Sequence, residues 1–355
     1  MNLRELADHE GPFASVYVDS IGDTEDAARQ QRLRRRAVRD ELAGSGAPAP
    51  LLGIVDDTLA TPPPGRSGQV VIADRSAALI AEPLPTPPPR RTVRLSPLPY
   101  LLPLLQLRQP RTPHVVVLVD RSGADVRGVD ARGQSFTHTI RGATHPLHKV
   151  GGGGSAHGPI QHHVEDTVRR NIAATAEEVG RIADRAGAAL LLVCGEVAAR
   201  TDLCDALRPR GRRVVQVESG SRAAGSDPEL LDREIRHILC EEAELRRRAV
   251  VDHFTQERER DRGLAVQGID ATTAALREAN ADTLLVDPDA LGDRVVRTGA
   301  DPTQVMPEDF ASPGTHARRA DEALPLAALA ARASVVTTDR DHAPPDGVGA
   351  LLRHA

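Results

Sequence analysis

Residues Leu147–Val179 read LHKVGGGGSAHGPIQHHVEDTVRRNIAATAEEV, and a change of pattern inside this stretch decides the fold. The segment His145–Pro159 carries the glycine run Gly151–Gly154 between two prolines, with few large apolar residues, which predicts an exposed, mobile loop outside any core. Beyond it, Val164, Val168, Ile172, Ala176, Val179, Ile182, Ala183 and Ala186 recur at helical spacing, and Gly187 stands where a helix C-cap is expected. A long amphipathic helix therefore leaves a glycine-rich loop.

Upstream, His114–Asp120 (HVVVLVD) has the apolar run of a buried strand. Ala124–Asp130 and Ser135–Ile140 follow it, with turns at Ser122-Gly123 and Arg132-Gly133, so a three-stranded meander is expected. Downstream, strands at Ala188–Cys194 and Arg213–Glu218 flank a helix near Thr201–Leu207. A meander joined to a βαβ unit makes a mixed sheet with helices, compatible with a ribonuclease-H-like domain. Asp227-Pro228-Glu229 then opens a charged helix running to about Arg260, with Asp as N-cap and Pro in the first turn.

Farther out, Phe13–Ser20 predicts a strand and Asp23–Leu42 a helix. Proline-rich punctuation at Pro62–Pro64 and Pro87–Pro89 brackets strands at Gln69–Asp74, Ala77–Glu82 and Thr92–Leu95, and Leu98–Leu107 predicts a short apolar helix. The C-terminal part carries helices at Asp270–Ala279 and Glu322–Ala333, with strands at Thr283–Asp287, Ser334–Thr338 and Ala350–Arg353. The expected fold class is α/β in three domains: a mixed-sheet N-terminal α/β domain over 1–112, a ribonuclease-H-like middle domain over 113–260, and a C-terminal α/β/α sandwich over 261–355.

Composition narrows the function. The chain has 355 residues, enough for more than one core, and 2% aromatic content with no tryptophan, so those cores are built from aliphatic side chains. A net charge of -5 argues against a uniformly basic nucleic-acid binder but leaves room for local arginine patches. Lys149 is the only lysine. Cys194, Cys204 and Cys240 have no metal-ligand spacing and are too few for a disulfide framework, which fits a reducing cytoplasm. No secretory h-region is visible, and no stretch reaches the roughly 18 apolar residues of a membrane span.

The candidate functional residues gather around the loop. His145, His148, His157, His162 and His163 match no zinc pattern, and no cysteine accompanies them. Together with Lys149, Arg169 and Arg170 they suit contact with RNA phosphates or stacking on bases. Arg32, Arg34, Arg35, Arg36 and Arg39 share the first helix, either as a solvated face laced with Asp40 and Glu41 or as a second RNA contact. Ser155 has no nucleophile elbow, Cys194 ends an apolar strand, and Asp120, Asp125 and Asp130 fall at strand ends and turns rather than in a two-metal cluster. No cofactor or metal is expected.

Three segments occur in the order found in a known family: Gly68–Asp120, opening GQVVIAD and closing HVVVLVD; Leu147–Val179; and Gly268–Asp287 (GIDATTAALREANADTLLVD) with Gly347–His354 (GVGALLRH). Over roughly residues 13–355 the chain resembles the archaeo-eukaryotic class-1 peptide release factors and Pelota, and within them the bacterial release-factor-like subgroup that includes the hibernation factor Balon. The resemblance implies a ribosomal partner. The first domain would face the decoding centre of the A site, Gly151, Gly152, Gly153, Gly154 and Ser155 would approach the RNA of the peptidyl-transferase centre, and the third domain would meet an elongation-factor-type GTPase, with no role for membrane or DNA.

Two departures shape that expectation. Where the family carries Gly-Gly-Gln, this chain reads Gly153-Gly154-Ser155, and the nearest glutamine, Gln161, stands seven residues past Gly154. The family's codon-reading helical hairpin has no counterpart, because only Gly44–Pro64 separate the first helix from the next proline-rich turn. The resemblance then implies a hibernation or stasis factor of the stress response, without codon-specific termination. The alternative is a ribosome-rescue peptidyl-tRNA hydrolase in which Gln161 or the Gly154 amide places water.

Overall fold

The computed structural model describes residues 3–21, 27–61, 63, 66–108, 112–142, 157–220, 222, 227–310 and 312–354, with the backbone alone for 21, 27, 66, 157–165 and 210. These form several α/β layers divided between two compact units, Met1–Gln109 with Arg246–Ala355, and Pro110–Leu245.

The N-terminal part of the first unit contains β1 (Phe13–Ile21), α1 (Ala27–Gly44), α2 (Ala49–Leu59), β2 (Arg66–Ala73), β3 (Ala78–Leu84), β4 (Thr92–Ser96) and α3 (Leu102–Leu107). Its sheet runs β3-β2-β1-β4 and every pairing is antiparallel, where the sequence predicts a mixed sheet. The reason lies in the connections: β2 returns to β3 through a tight turn whose Asp74 carboxylate accepts the Ser76 and Ala77 amides at 2.7 and 2.9 Å, and β1 reaches β2 through two helices. Alternation along β1 sends Ala14, Val16 and Val18 against Val38 and Leu42 of α1 and Leu51 and Val55 of α2, while Phe13 and Tyr17 face Leu101 and Leu104. The sequence left α2 unassigned because Pro48 and Pro50 look like loop punctuation. They sit at the cap and in the first turn, where a proline costs no helical hydrogen bond.

The second unit holds β5 (His114–Asp120), β6 (Gly123–Val129), β7 (Ser135–Arg141), α4 (His157–Ala186), β8 (Leu190–Gly195), α5 (Val197–Leu207), β9 (Arg213–Gln216) and the first part of α6 (Pro228–Arg258). The sheet order is β7-β6-β5-β8-β9, an antiparallel meander continued by parallel strands, as a ribonuclease-H-like arrangement requires. Val115, Val117 and Val119 pack against the apolar stripes of α4 and α5, and Val116, Leu190 and Leu192 against Leu231 and Ile235 of α6. Asp227 caps α6 by accepting the Glu229 amide at 2.9 Å. One boundary differs from the sequence expectation. α4 begins at His157, so the loop expected over 145–159 ends earlier, and Pro159 lies in the first helical turn, where its missing N–H is harmless.

The C-terminal part of the first unit adds β10 (Ala265–Gln267), α7 (Ile269–Arg277), β11 (Ala281–Val286), α8 (Pro288–Leu291), β12 (Val295–Thr298), β13 (Val305–Pro307), β14 (His316–Arg319), α9 (Ala320–Ala330), β15 (Ser334–Thr337) and β16 (Val348–Leu352). Its mixed sheet runs β10-β16-β11-β15. Leu284 and Val286 face Leu276 of α7 and Leu324 of α9, while Leu285 and Leu351 face Val251 and Phe254 from the end of α6, so helices cover both faces. A second sheet, β13-β12-β14, has no counterpart in the sequence expectation, because strands of three or four residues are too short to show an alternating pattern.

Within this first unit, chain segments far apart in sequence share one core: Leu326 and Leu329 of α9 join Phe13, Tyr17 and Ile72. Arg94 of β4 lies 3.0 Å from Asp321 and 3.3 Å from Glu322, and the Ser96 hydroxyl donates to the same Glu322 carboxylate.

Candidate functional site

The glycine run Gly151–Gly154, with Lys149 and Ser155, lies outside the described residues, as do His145 and His148. His157, Gln161, His162 and His163 stand on the opening turns of α4, with backbone alone described. What can be built atom by atom is the root of the loop, where β7 delivers the chain at Gly142 and α4 receives it.

Three segments meet there. The Gly142 amide donates to the Ser122 carbonyl at 2.7 Å, joining the end of β7 to the turn between β5 and β6. Asn171 of α4, 5% exposed, donates its side-chain amide to the Arg121 carbonyl of that turn at 3.1 Å. A Cβ on Gly142 would stand 2.6 Å from the Asn171 Cγ, so only glycine lets the strand pass so close to the helix. Gly123 (φ +151°) performs the same service on the other side, since a Cβ there would meet the Ile140 carbonyl oxygen at 2.1 Å.

The turn is itself rigidified. The Asp120 carboxylate accepts the Ser122 amide at 2.7 Å and its hydroxyl at 2.6 Å, and Arg222 lies 3.0 Å away. Burial pushes the Asp120 pKa up, but the Ser122 hydrogen bonds and the Arg222 charge outweigh it and hold the carboxyl below its ordinary range. The sequence did not single out Asn171. The available signal was a polar residue beside Ile172 on the apolar stripe of a helix, where an amide is retained only if it is hydrogen-bonded.

The arginines expected to meet RNA fall into two groups in different units. On α4, Arg169 is 81% exposed and 3.7 Å from Asp166, and Arg170 is exposed, with its Nε donating to the Asp166 carbonyl at 3.2 Å. On α1, Arg32, Arg36 and Arg39 are exposed, and Arg36 is only loosely paired with Asp40 at 3.8 Å. The remaining two have structural employment. Arg34 donates to Asp19 at 2.9 Å, and Arg35 grips Asp56 of α2 with two bonds of 3.1 and 2.7 Å. That pairing raises the Arg35 pKa against the cost of burial.

Other candidates resolve into structural roles. The Cys194 thiol donates to the Val117 carbonyl at 3.3 Å, and burial pushes its pKa up to about 12, the behaviour of an inert small hydrophobe. Asp125 pairs with Arg222 at 2.9 Å, and Asp130 accepts the amides of Arg132 and Gln134 in its turn. Among the described residues no group of three or more His, Cys, Asp or Glu side chains could hold a metal ion, and no helix is long and apolar enough to cross a membrane.

Residues 113–260 match the family model for bacterial archaeo-eukaryotic release factor family 2. Relatives from two strains of Mycobacterium tuberculosis, both described as uncharacterized proteins, are 38% identical over 366 aligned positions, covering 99% of this chain and 96% of theirs. Among solved structures, the Pelota protein of Archaeoglobus fulgidus is similar over 99% of this chain and 92% of its own, at 14% identity and a TM-score of 0.38. An archaeal translation termination factor is similar over 99% and 98%, at 14% identity and a TM-score of 0.25. The chain belongs to one family with these two mycobacterial proteins, and its residues 113–260 are the part that matches bacterial archaeo-eukaryotic release factor family 2.

Proposed function

We propose that this protein is a ribosome-binding translation factor that occupies the A site in stasis, as a hibernation factor, and does not terminate translation at specific codons. The observation that carries this reading is the construction of the loop: an anchored root at Gly142 leads through a four-glycine run, ending in Ser155 instead of glutamine, into a helix with exposed arginines. Glycine backbone can approach RNA closely without side-chain clash. Arg169 and Arg170, farther along α4, supply cations that displace counterions from RNA phosphates. With no water-positioning side chain at the tip, binding is uncoupled from ester hydrolysis. Arg32, Arg36 and Arg39 on α1 form a second phosphate contact toward the decoding centre, and residues 261–355 offer the surface for an elongation-factor-type GTPase.

Lys149 makes the test direct, because it is the only lysine and a lysine-specific endoprotease can cut the chain nowhere else. The protein is incubated with vacant 70S ribosomes and with ribosomes carrying peptidyl-tRNA, and co-sedimentation, cleavage at Lys149 and peptide release are measured together. The expected outcome is binding, protection of Lys149 and no release. Peptide release that Gly154→Ala or Gln161→Ala abolishes would instead establish the rescue hydrolase, and absence of binding to either particle would sink the ribosomal role.

A further inference from the structure

We propose that β7 is an interaction edge whose occupant is the β7 strand of a second copy of this chain, joined antiparallel about a twofold axis at His138. The inference is independent of the ribosomal role.

Sheet edges in water are ordinarily blunted, because a row of unpaired N–H and C=O groups recruits other strands. Two edges of this protein follow that rule. β3 carries Glu82 and Pro83 near its end and a register irregularity against β2, and β9, the far edge of the middle sheet, is four residues long. β7 does not follow it. This strand closes the other side of the middle sheet with seven residues, SFTHTIR, paired to β6 in unbroken register and free of proline and lysine. Ser135, Thr137, His138, Thr139 and Arg141 are exposed.

Alternation fixes which backbone groups are open. At one end of the β6–β7 hairpin the Asp130 amide donates to the Gln134 carbonyl, and at the other the Gly142 amide donates to the Ser122 carbonyl. The even-numbered positions from 134 to 142 therefore turn their peptide groups toward β6, and Ser135, Thr137, Thr139 and Arg141 turn theirs outward. Among the described residues no strand lies beyond them.

This edge is complementary to itself. In the antiparallel register that pairs all seven residues, Ser135 meets Arg141 of the other copy, Phe136 meets Ile140, Thr137 meets Thr139, and His138 meets His138. Open groups then face open groups and form about eight hydrogen bonds. Phe136 and Ile140, half-buried against the core of the middle sheet, fall in the closest-spaced pairs, an aromatic ring against a β-branched chain. The charges fit as well. Arg141 meets a serine rather than its own copy, and each His138 ring has the Glu178 carboxylate of its own chain 4.0 Å away beside the axis. A seven-residue edge makes a small interface, so the association is weak and depends on concentration.

Sedimentation equilibrium of the full chain between about 2 and 200 µM, the range in which small interfaces associate, should show monomer passing to dimer. His138→Asp sets two carboxylates opposite one another at the axis, and Thr137→Pro removes an outward N–H that β6 does not use. Each should weaken association about tenfold with the far-UV circular dichroism unchanged. The amides of Ser135, Thr137, Thr139 and Arg141 should gain protection from hydrogen exchange as concentration rises, while those of Phe136, His138 and Ile140 are protected throughout. For the register, the exposed Cys240 is first replaced by serine. In that background His138→Cys should form a disulfide-linked dimer with a mild oxidant, its Cα atoms about 4.5 Å apart, and Ser135→Cys should not.

A chain that stays monomeric across this range overturns the proposal, as does association that neither variant weakens or exchange at the odd-numbered amides that ignores concentration. Cross-linking through Ser135→Cys as readily as through His138→Cys would overturn the twofold pairing at His138.

Discussion

Two regions of this protein bury polar groups to join distant segments, and they do it with opposite chemistry. Between β4 and α9, the joint is ionic: Arg94 meets Asp321 and Glu322, Arg319 grips Asp321 with bonds of 3.0 and 2.9 Å, and Arg94 also stacks 3.6 Å from the centre of the Tyr100 ring. At the loop root the joint is neutral, an amide on a carbonyl beside a glycine. A charged joint is worth most as a permanent clasp, because separating its partners strands charge away from water. A neutral joint costs less to strain or open.

The largest expected effect comes from breaking the ionic clasp. Arg94→Ala leaves two carboxylates, 5% and 1% exposed, short of a cation, and should cost about 3 kcal/mol in urea unfolding. Next comes the neutral joint. Gly142→Ala drives a Cβ into the Asn171 amide and should cost about 2 kcal/mol by overpacking, read in the same urea unfolding.

A subtler change sharpens the contrast by removing charge without removing shape. Burial raises the Glu322 pKa, with Asp321 adding to it and Ser96 and Arg94 opposing. A carboxyl whose folded pKa is raised contributes stability that is present below its unfolded pKa and lost as pH rises through the folded one. Glu322→Gln should therefore match the parent chain in acid and gain on it as pH rises past that point, read as the difference in unfolding midpoint between pH 4 and pH 8. A Gln variant that loses stability relative to the parent with rising pH would show that Arg94 and Ser96 outweigh the cost of burying the Glu322 charge.

The smallest effect on the fold belongs to exposed charge. Arg36→Ala removes a pair at 3.8 Å between side chains 81% and 70% exposed, and should change stability by less than about 0.5 kcal/mol. Its effect should show instead as a shallower salt dependence of ribosome binding, as expected for one lost phosphate contact. Arg35→Ala, which breaks the two-bond grip on Asp56, should do the reverse and register chiefly in stability.

These contrasts also mark how far the sequence could be read. The middle sheet was legible strand by strand, because HVVVLVD is an unbroken apolar run and the stripe from Val168 to Ala186 repeats at helical spacing. The antiparallel N-terminal sheet, α2 and the strands β12 to β14 were not, since prolines in a first turn and strands of three or four residues leave no period to detect. Around the loop, Arg169 and Arg170 could be named from sequence. Arg35 looked the same as Arg36 there, and only the placement of Asp56 on a neighbouring helix separates a two-bond tie from an exposed, loosely paired cation.

The sequence by itself determined the secondary elements with long periods and the position of the glycine run Gly151–Gly154, followed by Ser155, ahead of a helix, all of which are local or ordered properties of the chain. Tertiary structure alone decided which carboxylate meets which arginine, that Leu326 and Leu329 of α9 share a core with β1, and that Asn171 meets Gly142 and the Arg121 carbonyl. Arg94 and Glu322 stand 228 positions apart, and Asn171 and the Arg121 carbonyl 50 apart; no local pattern encodes such contacts, because they depend on where the sheets bring the segments together.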